Sequence, residues 1–244
     1  ANFSGASLRK ARLAEAVLNR ADLREADLSE ADVSGVIAEA LVLERAVCAC
    51  AVFAEAMLAG LQADGADFGA ADLRGAMVLD GSARDAVFRG ADASKASFVQ
   101  TRLGAADFTG AKLGQVYFGQ CEAASACFES AEMARVQCNA SAFPEAVFRQ
   151  ADLSGATLQE CGFSGADLQG ARMDEAYVEN SDLQGCDLRG VSAREARFPA
   201  CDLRRADLRG MDLLSGSLRR ARLSEADLSG ANLYAVEFWR TRVR

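Results

Sequence analysis

A period of five that runs without a slip from Phe3 to Val243 limits what this chain can fold into more than any other feature. Counting slot 1 from residue 1, slot 3 (residues 3, 8, 13 and onward, 49 positions) is Leu 22 times, Phe 13 times and Ala 6 times, and every Phe of the 244 residues lies there. Slot 1 is Ala at 31 of 49 positions, and its other occupants are small or aliphatic. Polar and charged residues collect in slots 2, 4 and 5, with Asp favoured just before the large apolar residue and Gly two after it.

A five-residue repeat matches neither the 3.6 of an α-helix nor the strict alternation of a long strand. Each pentapeptide is therefore read as one short extended segment, with slots 1 and 3 pointing inward and slot 2 outward, followed by a two-residue corner. The backbone groups of such a segment find partners in the coils above and below, about 4.8 Å away. A small residue beside a large one lets a narrow interior fill without overlap.

Stretches such as Ala21-Asp22-Leu23-Arg24-Glu25, Ala166-Asp167-Leu168-Gln169-Gly170 and Ala226-Asp227-Leu228-Ser229-Gly230 resemble the A(D/N)LXX signature of the pentapeptide-repeat family, and the resemblance covers the whole chain. It implies an all-β fold, a right-handed quadrilateral parallel β-helix with four pentapeptides per coil, and no catalysis in most members. At that spacing the chain makes about 12 coils and stands roughly 60 Å tall. Ala38, Ala63, Ala83, Ala93, Ala123 and Ala193 depart from the pattern by placing a methyl in the large slot, where the coil is expected to be under-packed or pinched.

With 20 residues per coil the sequence reads as columns. An inward column runs Phe68, Phe88, Phe108, Phe128, Phe148 and then through Leu168 to Leu228, as core packing. Another alternates Cys121, Ser141, Cys161, Ser181 and Cys201 in slot 1, read as small buried residues beyond disulfide reach of one another. Cys50 and Cys127 are the thiols expected on the outside.

The outward columns carry the candidate sites. Val17, Ile37, Met57, Met77, Tyr117 and Tyr177 lie on one side, with Leu79 and Val99 beside them, and Val42, Val47 and Val52 continue the apolar surface around the coil that begins at Ile37. Apolar surface of that extent marks a partner or self-association face. An acidic ladder comprises Asp167, Asp187, Asp207 and Asp227, with Asp182 and Asp202 on the adjoining side; Arg189 and Arg209 stand where they could pair it. Although the chain carries 27 Lys and Arg against 35 Asp and Glu, residues 189–244 hold 12 basic and 7 acidic side chains. That gives a basic end of Arg204, Arg205, Arg219, Arg220, Arg222, Arg240, Arg242 and Arg244, suited to an acidic protein or a phosphate surface.

The chemistry of catalysis is missing from the sequence. There is no His, the eight Cys form no CxxC, and no nucleophile stands with a base, so no catalytic, cofactor or metal residues are assigned and the chain is read as a non-enzyme. No apolar run of 18 or more residues occurs, so no membrane span is expected, and the cysteine usage fits a reduced, cytoplasmic setting; the resemblance implies a bacterial protein, with delivery by a secretion system left open. Residues 1–244 are expected to form a single repeat domain, and the opening Ala together with repeats that continue to both termini suggests a domain cut from a longer protein.

Two functions follow. The first is a rigid module that presents its faces to a protein partner or to a second copy through a face or the coil ends, with direct nucleic-acid binding not expected; relatives resembling it occur within multi-domain bacterial proteins, some linked to type VI secretion. The second, implied by the resemblance, is a DNA mimic that binds DNA gyrase or topoisomerase IV and confers resistance to inhibitors.

Overall fold

The structure is a computed structural model and describes residues 1–243. Among these residues there is no helix, and every strand pairing is parallel with a step of 20 residues. Eight three-residue strands form one sheet in chain order: β1 (Ile37–Glu39), β2 (Met57–Ala59), β3 (Met77–Leu79), β4 (Ser97–Val99), β5 (Tyr117–Gly119), β6 (Gln137–Asn139), β7 (Thr157–Gln159) and β8 (Tyr177–Glu179). The other three sides are ladders of single bridges centred on slot 2, as in Asp22↔Val42, Asp27↔Val47 and Asp32↔Val52. Four bridging columns with one common step make a four-sided parallel solenoid, as the five-residue period and the resemblance anticipate. The continuous sheet spans seven steps, fewer than the expected coil count of about 12, and outside it the same step is carried by isolated bridges from Asn2↔Asp22 to Arg222↔Arg242.

Why these residues make this coil follows from where each backbone N–H goes. In Ala26-Asp27-Leu28-Ser29-Glu30, the N–H of Ala26 closes a turn on Leu23 O at 3.1 Å, and that of Asp27 reaches back one coil to Ala6 O at 2.9 Å. The N–H groups of Leu28 and Glu30 reach forward one coil, to Val47 O at 2.7 Å and Ala49 O at 3.0 Å. Only slot 4 has no backbone partner, and there Asp27 Oδ1 accepts the Ser29 N–H at 2.9 Å. The Asp that precedes the large apolar residue is thus a structural acceptor. In the pentapeptides of Ser82 and Ser192 the same service comes from slot 4 of the preceding coil: Asp64 accepts from Arg84 N–H at 2.9 Å and Asp174 from Arg194 N–H at 3.0 Å.

Every slot 5 residue from Gly5 to Arg240 has a positive φ, and 34 of these are not Gly, so the favoured Gly relieves a conformation that the whole fold imposes. A turn closed by an i to i+3 hydrogen bond with its third residue left-handed is of type II character. The side that carries β1 to β8 departs from this: at the corners ending at Leu41, Leu61, Gly81 and onward in steps of 20 to Ser181, the turn hydrogen bond is absent and the chain stays extended for one residue more.

Slots 1 and 3 fill one contiguous apolar core from Ala21 to Leu223. The expected phenylalanine column is there: Phe68, Phe88, Phe108, Phe128 and Phe148 stack with centroids 4.9, 4.5, 5.0 and 4.8 Å apart and planes within 5° of parallel. Phe98 with Phe118 on the opposite side and Phe143 with Phe163 on a neighbouring side form shorter stacks, edge-on to the first.

Candidate functional site

The sheet of β1 to β8 displays the candidate apolar face. In-register pairing puts Ile37, Met57 and Met77 directly over one another, and Val17 bridges to Ile37. Side chains in slot 2 of a strand point away from the core. Val17, Ile37 and Met57 are accordingly 68 %, 52 % and 51 % exposed, with Met77 and Val47 also exposed. Between Ile37, Met57, Met77, Leu79 and Ala59 lies a shallow groove of about 290 Å³. The expected surface is narrower than the sequence implies, because Val42, Val52, Leu79 and Val99 are only half exposed. The rim is mainly acidic: Glu15, Glu39, Glu55 and Asp80 are exposed around it, with Arg20 and the Asp72-paired Arg74 as basic neighbours.

Further along the same side Tyr117 lies over its own strand. A Cβ at Gly119 would come within 2.7 Å of the Tyr117 ring, so the glycine is what lets the ring lie flat. Tyr177 is half-buried at the edge of a second groove of about 510 Å³ that also involves Arg197, Pro199, Arg219, Arg220 and Glu237. The two tyrosines therefore do not join the exposed aliphatic patch. Arg197 and Pro199 were not among the candidates, although column reading extends to Arg197, 20 residues beyond Tyr177.

The acidic ladder stacks as expected, with Asp167↔Asp187↔Asp207↔Asp227 and Asp182↔Asp202 bridged in register. Most of its carboxylates are paired, whereas Asp182 accepts the Gln184 N–H at 2.9 Å without an ion pair among the described residues. Arg149 pairs with Asp167 at 2.6 Å, Arg189 lies between Asp187 and Asp207 at 2.5 and 3.6 Å, and Arg209 between Asp207 and Asp227 at 2.6 and 3.8 Å. Hydrogen bonds from Arg189, Arg209 and Arg204 hold Asp187, Asp207 and Asp202 below the ordinary carboxylate range.

The basic end divides in two. Arg204 and Arg222 both bind Asp202 (2.5 and 3.2 Å), Arg205 binds Glu225 at 2.9 Å and Arg219 approaches Glu237 at 3.5 Å. Arg220, Arg240 and Arg242 make no ion pair among the described residues. The guanidinium carbons of Arg219, Arg220 and Arg240 lie 5.1, 5.2 and 4.4 Å from the centre of the Trp239 ring. Among the described residues Arg220, Arg222, Arg240 and Arg242 line an open groove of about 590 Å³. Arg244 lies outside the described residues. Trp239 was missed as a site residue; its signal is its place in slot 4, 20 residues after Arg219.

The cysteine column corrects another expectation. Cys121, Cys161 and Cys201 are buried, but they are not simply small apolar fillers: their thiols donate to Phe98 O at 3.2 Å, Gln159 O at 3.3 Å and Val178 O at 3.1 Å. Of the two thiols expected outside, Cys50 is exposed while Cys127 is half-buried, with Thr109 Oγ1 3.3 Å from its sulfur. No group of three or more His, Cys, Asp or Glu among the described residues is placed to hold a metal ion. No helix of the described residues is long and apolar enough to cross a membrane.

A family model for pentapeptide repeats matches eight copies, over residues 1–37, 81–110, 131–173, 161–199, 171–210 and 201–240. Among solved structures the chain is similar to HetL, a pentapeptide repeat protein involved in heterocyst differentiation regulation in the cyanobacterium Nostoc sp. strain PCC 7120, at 25 % identity over 87 % of each chain with a TM-score of 0.44. It is also similar to the pentapeptide repeat protein Rfr23 of the cyanobacterium Cyanothece 51142, at 26 % identity over 38 % of this chain and 64 % of that one, with a TM-score of 0.38. Full-length QnrB1, a plasmid-mediated fluoroquinolone resistance protein, is 16 % identical over 93 % of this chain and 91 % of its own, with a TM-score of 0.39. No curated protein matches the sequence.

Proposed function

On the premise that this chain belongs to the pentapeptide-repeat family, we propose that it is a non-catalytic interaction module that docks a protein partner on the side carrying Val17, Ile37, Met57 and Met77. The observation that carries this reading is the exposure of four stacked aliphatic side chains on the one side where the solenoid is a continuous sheet. Sheet pairing fixes their spacing, so a partner meets a rigid surface and little conformational entropy is lost on its side of the interface. Apolar side chains supply the affinity there and the rim sets the choice of partner. With Glu15, Glu39, Glu55 and Asp80 around the patch, the fitting partner has an apolar centre and a basic rim; a second copy would bring like charges together.

The pairing of Arg189 and Arg209 into the acidic ladder weighs against the other reading, imitation of DNA toward gyrase or topoisomerase IV. A phosphate mimic needs carboxylates free to meet basic side chains, and these are already met from within the chain.

The test compares the chain with Ile37→Lys combined with Met57→Lys in pull-downs from the source organism, with light scattering in parallel. A partner retained by the chain and lost by the double variant, with the chain monomeric in both, supports the proposal. Identical partners for the two proteins would refute it, and inhibition of supercoiling by the chain would favour the mimic.

A further inference from the structure

We propose that Arg220, Arg222, Arg240 and Arg242 form a binding site for a diphosphate group. The solenoid stacks these residues by construction: Arg222 and Arg242 bridge directly in slot 2, and Arg220 and Arg240 occupy the left-handed corners two residues before them, each with a φ of 57°. Four guanidinium groups from two consecutive coils therefore converge on one edge of the molecule, where, among the described residues, they alone line the groove of about 590 Å³.

Like charges stacked directly along a sheet are destabilising, and the other stacked arginines of this chain have acids interleaved with them. Arg189 and Arg209 stack with Asp187, Asp207 and Asp227 around them, and Arg194 reaches Asp212 at 2.6 Å. At the four-arginine edge the one acid among the described residues that pairs with any of them is Asp202, 3.2 Å from Arg222 and already engaged by Arg204 at 2.5 Å. Trp239 adds order: with Arg220 and Arg240 against its ring, two of the four cations are held in place before any ligand arrives. Pre-placed guanidinium forks match phosphate oxygens in pairs of parallel hydrogen bonds. Four forks spread over two rungs offer more donors than a single phosphate can take up, and two linked phosphates fit that span.

The experiment is calorimetric titration of the full chain with inorganic pyrophosphate, repeated on Arg220→Gln with Arg240→Gln and on a control, Arg84→Gln with Arg102→Gln. Folding of the variants is protected by the repeat itself, since Gln already stands in the same left-handed corner at 100, 115, 120 and 150. The expected result is saturable binding to the chain, weakened at least tenfold in the first variant and less than twofold in the control, with affinity falling as salt rises. An arm with ADP separates the sources of the group: tighter binding than pyrophosphate points to a nucleotide, and equal binding to diphosphate alone. Absence of saturable pyrophosphate binding, equal weakening in the control, or binding to a DNA oligonucleotide without binding to pyrophosphate would each overturn the proposal.

Discussion

The hydroxyl of Ser141 accepts the backbone N–H of Cys121 from the preceding coil at 3.0 Å and itself lies 3.1 Å from Phe118 O and 3.2 Å from Asn139 O. It does for this corner what the missing turn hydrogen bond does for the other three sides. Ser181 repeats the arrangement with the N–H of Cys161 at 3.1 Å. Ser141→Ala leaves that buried N–H unmet, while Asn139 O keeps the Gln120 N–H at 2.9 Å, at a cost of about 1–3 kcal/mol. Denaturant unfolding is expected to report that loss, and hydrogen exchange is expected to quicken at the Cys121 amide. Cys161→Ser, which adds a better acceptor and donor to the same column, is expected to be neutral or stabilising.

Phe108 sits in the middle of its stack, between Phe88 at 4.5 Å and Phe128 at 5.0 Å, with Phe98 edge-on at 6.3 Å. Phe108→Ala opens a cavity between two rings that cannot close on each other, because the backbone rungs hold them apart. The expected cost is about 3–5 kcal/mol by chemical denaturation. Phe108→Leu repeats what the chain itself does from Leu168 onward in this column and is expected to cost well under half as much.

Thiol chemistry separates the cysteines by position. Burial pushes Cys121 and Cys161 up to about 11 and Cys186 and Cys201 up to about 12, and raises Cys48 and Cys138 as well. A thiol must ionise to attack, so these six are inert at neutral pH while the chain is folded. Titration with a coloured disulfide reagent is expected to label Cys50 first and Cys127 more slowly, with the remaining six released only by denaturant.

The phase, the inward slots and the columns were legible because each depends on a repeat that the sequence states 49 times. The ladder from Val17 to Tyr177 pairs at the step of 20 that column reading assigns to it. Which of the four sides would extend into strands was not read, though a signal exists: that side alone has no Asp or Asn in slot 2, from Val17 through Glu237, and so lacks the side-chain acceptor that closes slot 4 elsewhere. The partners of the arginines were harder to read. Arg149 reaches Asp167 across 18 residues while Arg189 reaches Asp187 across 2, and the choice between them is set by rotamers and by neighbours in the next coil. The hydrogen bonds of the cysteine column were hidden for a similar reason: a slot 1 thiol looks like an alanine until the corner beside it is known to lack its own bond.

Acid sensitivity follows from the carboxylates that the fold uses as acceptors. Asp187, Asp202 and Asp207 lie below their ordinary value chiefly because Arg189, Arg204 and Arg209 donate to them, and Asp27 chiefly because Ser29 does. A carboxylate whose folded value is depressed contributes stability that is complete above the unfolded value, near 3.9, and is lost as the pH falls through the folded value. Thermal unfolding is therefore expected to be nearly level from pH 7 to about 5 and to fall steeply below about pH 4. The mechanism assigns the loss to hydrogen bonding as well as to charge, because these same oxygens close slot 4 of the repeat. Added salt at pH 7 screens the exposed pairs and is expected to move the midpoint little. Asp207→Asn, which keeps an acceptor for the Arg209 N–H while removing the charge, is expected to flatten the acid limb and to leave stability at pH 7 within about 1 kcal/mol; Asp207→Ala, which removes both, is expected to lower stability at every pH.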